Sequence, residues 1–168
     1  MELAENQSLK ILHDIGHTLS PTTFAQELCV TVEFEGDDFP IGMLTLVPQY
    51  KCNVERWGLK GYMWYLSSAP DEIYIDKFRD DIVGGVAKTL IDCAILASYG
   101  EDGDGSLLLH ADPKGGIVLE KYYKKNKFKQ LPSSNGRITN FRWRDRTRYF
   151  HLTPGEAANL VKYHNPWR

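Results

Sequence analysis

The spacing of apolar positions changes several times along the chain, and each change marks an element. From Ser8 to about Gly16, Leu9, Ile11, Leu12 and Ile15 predict a short helix, and Ser20-Pro21-Thr22-Thr23 starts a second with Phe24, Ala25 and Leu28 apolar. Cys29 to Glu35 alternates, with Val30, Val32 and Phe34 on one side and Thr31, Glu33 and Glu35 on the other, as a half-buried strand does. Gly36-Asp37-Asp38 is a turn, and Phe39 to Val47 returns as a second strand, so the pair predicts a hairpin. Tyr50 to Gly61 reads as irregular, with Trp57-Gly58 in a loop. Tyr62 to Ser68 is apolar and aromatic enough for a central strand, which Ala69-Pro70 ends. The acidic stretch from Asp71 to Asp81 reads as a connection with no assigned element.

Past this point the period lengthens. Val83, Val86, Ala87, Leu90, Ile91, Ala94, Ile95 and Ala97 recur mostly at intervals of three and four, so a helix to about Ala97 lays one apolar face on a sheet. Ser106 to Ala111 is a buried strand. Asp112-Pro113-Lys114-Gly115-Gly116 opens another helix, with Ile117, Val118, Leu119, Tyr122 and Tyr123 apolar, and Leu131 to Gly136 is a loop. Ile138 to Trp143 and Arg148 to Leu152 read as strands. Thr153-Pro154-Gly155-Glu156 is a capping box with proline at the first helical position, starting a terminal helix to about Tyr163.

Candidate chemistry begins at Gly84-Gly85. Paired glycines at a helix start let backbone N–H groups approach an anion unobstructed, beside the partial positive charge of the helix end. A tight turn without a ligand is the other reading of the same residues. Order decides between them: a phosphate-seating turn, an amphipathic helix, a buried strand and a helix ending in Tyr122-Tyr123-Lys124-Lys125-Asn126-Lys127-Phe128. That order resembles the GNAT superfamily of acyl-CoA-dependent N-acyltransferases, whose turn follows Gln/Arg-x-x-Gly-x-Gly/Ala and whose later helix ends in Phe-Tyr-x-Lys-x-Gly-Phe. Gly85-Val86-Ala87 matches the first pattern and Tyr122 to Phe128 the second. Ile82 stands where Gln or Arg is usual, and Lys127 where a helix-ending glycine is preferred.

The resemblance implies an α/β fold: a mixed, mainly antiparallel sheet with helices on both faces and splayed central strands. It implies one domain over 1–168 with a CoA-binding core at about 62–131. Acetyl-CoA is then a co-substrate, its diphosphate held by the turn from Ile82 and Val83 through Gly84, Gly85, Val86 and Ala87 to Lys88. Leu66, Ser67 and Ser68 would offer backbone N–H groups to the thioester carbonyl, where oxyanion charge grows. Tyr123, with Tyr122 as the fallback, would return a proton to the departing thiolate, as an ordinary phenol can with little penalty. Both tyrosines also fit a plain helical core. Glu33 shares a strand face with Glu35 and is a candidate base, or a solvated side chain.

At 168 residues the chain is large enough for one real core, and its net charge is −2. That average hides a polarity. Residues 1–112 hold 7 Lys and Arg against 19 Asp and Glu, and residues 113–168 hold 13 against 3. The acidic part could draw a cationic amine and the basic part CoA phosphates or nucleic acid. Acceptors therefore range over a small polyamine-like molecule, a peptide amine and the amino group of an aminoacyl-tRNA; a GNAT-like binding module without chemistry is a third class. Arg142, Arg144, Arg146 and Arg148 alternate near Trp143 and Tyr149, as in a nucleic-acid-binding surface or an ordinary edge hairpin. Cys29, Cys52 and Cys93 lack ligand spacing and predict free thiols. Glu101-Asp102-Gly103-Asp104-Gly105 lacks the length and final glutamate of a calcium loop, and no metal is expected there or at His110. Without a membrane-length apolar run or a secretion signal, a cytoplasmic location is expected. The oligomeric state is left open, a homodimer included.

Overall fold

The strand alternation that opens the described chain builds most of its sheet. The computed structural model describes residues 25–54, 56–78, 84–132 and 146–164. Strands β1 (Gln26–Phe34) and β2 (Asp37–Val54) form the expected antiparallel hairpin, turned by Glu35 and Gly36, both at positive φ. Leu28, Val30, Val32 and Phe34 pack on the core while Glu27, Cys29, Thr31 and Glu33 are exposed. Leu28 thus belongs to a strand and not to the second early helix. The remainder of both early helices lies in residues 1–24, outside the described residues.

Strand β2 does not stop at Val47. It runs to Val54, turns at once into β3 (Arg56–Ser68), and the two pair from Val54↔Arg56 back to Gly42↔Ser68. The stretch 50–61, expected to be irregular, is therefore a ladder, with Tyr50, Cys52 and Val54 alternating into the interior. Pro48 hides that alternation, because the register shifts between Val47 and Tyr50. Where a connection was expected, the acidic segment forms helix α1 (Asp71–Phe78): its acids occupy the first turn, where the helix dipole favours them, and Tyr74 and Phe78 are buried one turn apart. The Phe78 ring meets Phe34 and Phe39 edge-on.

Helix α2 (Val86–Gly100) buries Val86, Leu90, Ile91, Ala94 and Ile95 against the sheet and leads to β4 (Leu107–His110). A 3₁₀ turn (Pro113–Gly115), helix α3 (Gly116–Lys125) and the short β5 (Lys129–Gln130) follow. Strand β6 (Tyr149–Leu152) and helix α4 (Pro154–His164) complete the order. Thr153 Oγ1 accepts the Glu156 N–H at 3.4 Å, as the capping box requires. The expected strand at 138–143, with Arg142 and Arg144, lies outside the described residues.

Among the described residues the sheet has six strands in the order β1-β2-β3-β4-β6-β5, with β3–β4 its parallel pair. All four described helices pack on the face that carries Leu44, Leu46, Met63, Leu109 and Phe150. The other face carries Val47, Tyr50, Cys52, Tyr62, Leu108 and Tyr149. Lys60 Nζ, 3.3 Å from Ser106 Oγ and 3.9 Å from Asp104, ties β3 to the acidic loop that leads into β4. Asp104 accepts both the amide and the hydroxyl of Ser106. Desolvation would raise this carboxyl, but those bonds and Lys60 outweigh it and hold it below the usual range. No described helix is long and apolar enough to cross a membrane.

Candidate functional site

Parallel strands that part leave a gap lined by backbone groups. Strands β3 and β4 pair over Gly61↔Leu107, Tyr62↔Leu108 and Met63↔Leu109, with the Gly61 N–H donating to Ser106 O at 3.0 Å, and there the pairing ends. Strand β3 continues to Ser68 against β2 alone. The parting coincides with a bulge on β3. Met63 faces Leu46 and Tyr65 faces Thr45, so Trp64 is one residue too many for its partner strand, and such an insertion bends the strand that carries it.

Beyond the bulge, the Ala69 N–H donates to Ile41 O at 2.8 Å. Antiparallel alternation then turns the backbone groups of Tyr65 and Ser67 toward β2, and those of Leu66 and Ser68 toward the gap. Of the three donors expected from the sequence, Ser67 is therefore committed to the ladder while Leu66 and Ser68 face the opening.

The amino end of α2 forms the second part. Gly85 adopts φ 83° as its N-cap, no side chain caps it, and the Thr89 N–H donates to Gly85 O at 3.0 Å as the first helical bond. The N–H groups of Val86, Ala87 and Lys88 therefore have no partner within the helix. Gly84 and Gly85 are exposed, and a Cβ added at either meets nothing within 4 Å. Ile82 and Val83 lie outside the described residues. Val86 anchors this end: a Cβ on Gly42 of β2 would come within 2.4 Å of Val86 Cγ1.

Tyr123 on α3 forms the third part. It is 6% exposed, packed among Tyr122, Phe128 and Phe150. Burial, helped by Tyr122 and Asp112, pushes its phenol up to about 12. The Asp112 contribution sets Tyr123 beside the segment that leaves the carboxyl end of β4, on the side where β3 and β4 diverge. Tyr122 is half-buried, its hydroxyl has no hydrogen-bond partner, and desolvation raises it as well. The α3 terminus closes as a glycine would close it: Lys127 sits at φ 68° and the Phe128 N–H donates to Tyr123 O at 3.0 Å.

Glu33 is not drawn into this arrangement. It is exposed, lies opposite Asp38 near the β1–β2 turn, and is separated from β3 by β2. His110 is half-buried with its ring edge-on to Tyr149, 4.8 Å between centroids. Sequence reasoning missed two contributors. Trp64 could not be identified as a bulge without the register of β2, and Asp112 read only as the start of a helix.

No protein-family model matches the chain, and no curated protein matches it by sequence. Among solved structures it is similar to a tyrosine-to-phenylalanine mutant of the toxin AtaT bound to the C-terminus of the antitoxin AtaR and acetyl-CoA. That similarity has a TM-score of 0.55 at 12% identity, over 86% of this chain and 75% of that one. The mixed sheet, its one divergent parallel pair and the helices packed on it constitute a GNAT-like fold.

Proposed function

We propose that this chain is an acetyl-CoA-dependent N-acetyltransferase that transfers the acetyl group directly to an amine. The observation that carries the proposal is the divergence of β3 and β4 at the Trp64 bulge, beside a solvent-open helix end at Gly84-Gly85. The diphosphate would rest on the amides from Gly84 to Lys88, and the sulfur-bearing arm would enter the gap. A neutral amine attacks the thioester carbon, and the Leu66 and Ser68 N–H groups receive the charge that develops on oxygen. The C–S bond then breaks, the new amide nitrogen loses its proton to water, and Tyr123 gives its proton to the thiolate.

The buried phenol changes the energetics of that last step. With Tyr123 at about 12, proton return to a thiolate whose conjugate acid lies near 8.5 is uphill by on the order of 5 kcal/mol. An ordinary phenol would have borne far less. The cost still fits inside the barrier of roughly 16 kcal/mol that a turnover of about ten per second allows.

Titration calorimetry with acetyl-CoA and with CoA tests the reading. Binding of both supports it, and no binding of either leaves a GNAT-like binding module. One observation favours an aminoacyl-tRNA acceptor over a small amine: Lys114, Lys121, Lys124, Lys125, Lys127 and Lys129 are all exposed on and around α3. Steep salt dependence of tRNA binding is the matching test.

A further inference from the structure

Helices α1 and α3 each present an exposed β-branched pair framed by charge, and the two charges are opposite. On α1, Ile73 and Ile75 are 40% and 51% exposed, with Asp71, Glu72 and Asp76 exposed around them. On α3, Ile117 and Val118 are 69% and 80% exposed, with Lys121, Lys124 and Lys125 exposed on the same arc of the helix. Glu120, which would dilute that positive arc, is turned to Arg148 at 3.1 Å.

These exposures are not what either helix needs for its own packing. Tyr74 and Phe78 fix α1, and Tyr123 with Leu119 fixes α3. Apolar side chains left open inside a ring of charge mark a surface that meets another protein. Both helices lie on the same face of the sheet, α1 over the β1–β2 margin and α3 over the β5–β6 margin.

We infer that two copies of this chain pair through these surfaces, the acidic face of α1 on one copy against the basic face of α3 on the other. A two-fold axis makes the contact twice, because each copy carries both halves of the match. The pairing covers Ile73, Ile75, Ile117 and Val118 on both copies and places like charges apart. It would also brace both walls of the gap, since α1 follows Ser68 almost directly and α3 carries Tyr123. The inference does not depend on what the gap binds.

Two variants of the full chain test it by sedimentation velocity at low salt. E72K/D76K makes both faces basic, and K121E/K125E makes both acidic. Each alone is expected to be a monomer where the parent is a dimer, with pairing at least tenfold weaker, and an equimolar mixture is expected to restore the dimer. Val118→Ser is expected to weaken pairing without altering charge, which keeps the test decisive if a double variant fails to fold. A parent that stays monomeric, variants that pair as the parent does, or a mixture that fails to recover would each overturn the assignment. A monomer that instead binds RNA through the same lysines overturns it in favour of nucleic acid.

Discussion

Gly42→Ala probes the link between the sheet and the proposed phosphate seat. A Cβ at Gly42 would lie 2.4 Å from Val86 Cγ1 and 3.0 Å from Leu90 Cδ1, whereas carbon atoms settle at about 3.5–4.0 Å. Val86 would have to retreat by roughly an ångström. A valine in a helix has one strongly preferred rotamer, and this one is 5% exposed, so the side chain has nowhere to turn. Ile91, Ala94 and Ile95 pin the next turns of α2, and the displacement therefore concentrates at the end that carries the open amides.

Overpacking of this kind costs about 1–3 kcal/mol, and a domain of this size loses roughly 2–4 °C in Tm per kcal/mol. Amides moved by an ångström leave the hydrogen-bond range of about 2.7–3.2 Å, so acetyl-CoA affinity is expected to fall roughly ten- to a hundredfold, about 1.4–2.8 kcal/mol. Gly61→Ala is the control. Its Cβ would meet Leu107 Cδ2 at 2.6 Å and Ser106 O at 3.3 Å, at the closed end of the β3–β4 pair. It is expected to lower Tm comparably while leaving affinity within about twofold. Calorimetric titration and thermal melts of both variants suffice. If Gly42→Ala melts lower yet binds acetyl-CoA as the parent does, the helix end is not the seat.

Three further outcomes are expected. Tyr123→Phe should lower turnover by roughly 10²–10⁴-fold with acetyl-CoA affinity nearly intact, and Tyr122→Phe should do much less; equal rates in the Tyr123 variant and the parent would hand the proton to Tyr122 or water. Lys127→Gly should raise stability by about 1 kcal/mol, because a side chain at φ 68° bears the left-handed penalty, and an unchanged Tm would show the Lys127 stem compensating. Stability should fall on the alkaline side, since burial pushes the Cys52 thiol to about 12 from 9.0 and Tyr123 to about 12 from 10.0. The unfolded chain then releases those protons first, so the stabilisation is complete below about pH 9 and lost as pH climbs toward 12. Denaturant midpoints that stay level from pH 8 to 11 would show those groups to be wetter than their surroundings imply.

How much of this was legible in the sequence depended on whether an element announced itself locally. The β1–β2 hairpin, α2, β4 and the capped terminal helix each carry a clean period or cap, and each lies where its residues placed it. The ladder over 48–61 was obscured because Pro48 breaks the alternation of Val47, Tyr50, Cys52 and Val54 at a register shift, while Trp57-Gly58 imitates a loop inside β3. Helix α1 had a signal that could have found it: two acids in its first turn and Tyr74 and Phe78 one turn apart. Its shortness and polar surface hid it. The gap-facing amides were beyond local reading altogether, since the bulge that turns Leu66 and Ser68 outward exists only in the register between two strands.

The same geometry bears on the acceptor. A carboxylate that takes a proton from an alkylammonium during attack must reach the reacting nitrogen in a site closed to water. Glu33 is exposed with β2 between it and β3. Asp112 is exposed and accepts the Lys114 amide at 2.8 Å, and the buried Asp92 faces His164 of α4 at 3.3 Å. None of these is placed as such a base, which favours an amine that is already partly neutral. An α-amine with pKa near 8 is about a tenth neutral at pH 7, whereas a lysine-like amine near 10.4 is neutral in well under one molecule in a thousand. The greater nucleophilicity of the more basic amine offsets part of that difference. At pH 7 a dipeptide or an aminoacyl ester is therefore expected to be acetylated at least about tenfold faster than a lysine side chain or a polyamine, with the gap narrowing as pH approaches 10. Thiol release measured across that range decides the matter: equal rates for the two amine classes at pH 7 would mean that the protein supplies a base, and the proton inventory of the proposed transfer would have to be redrawn around it.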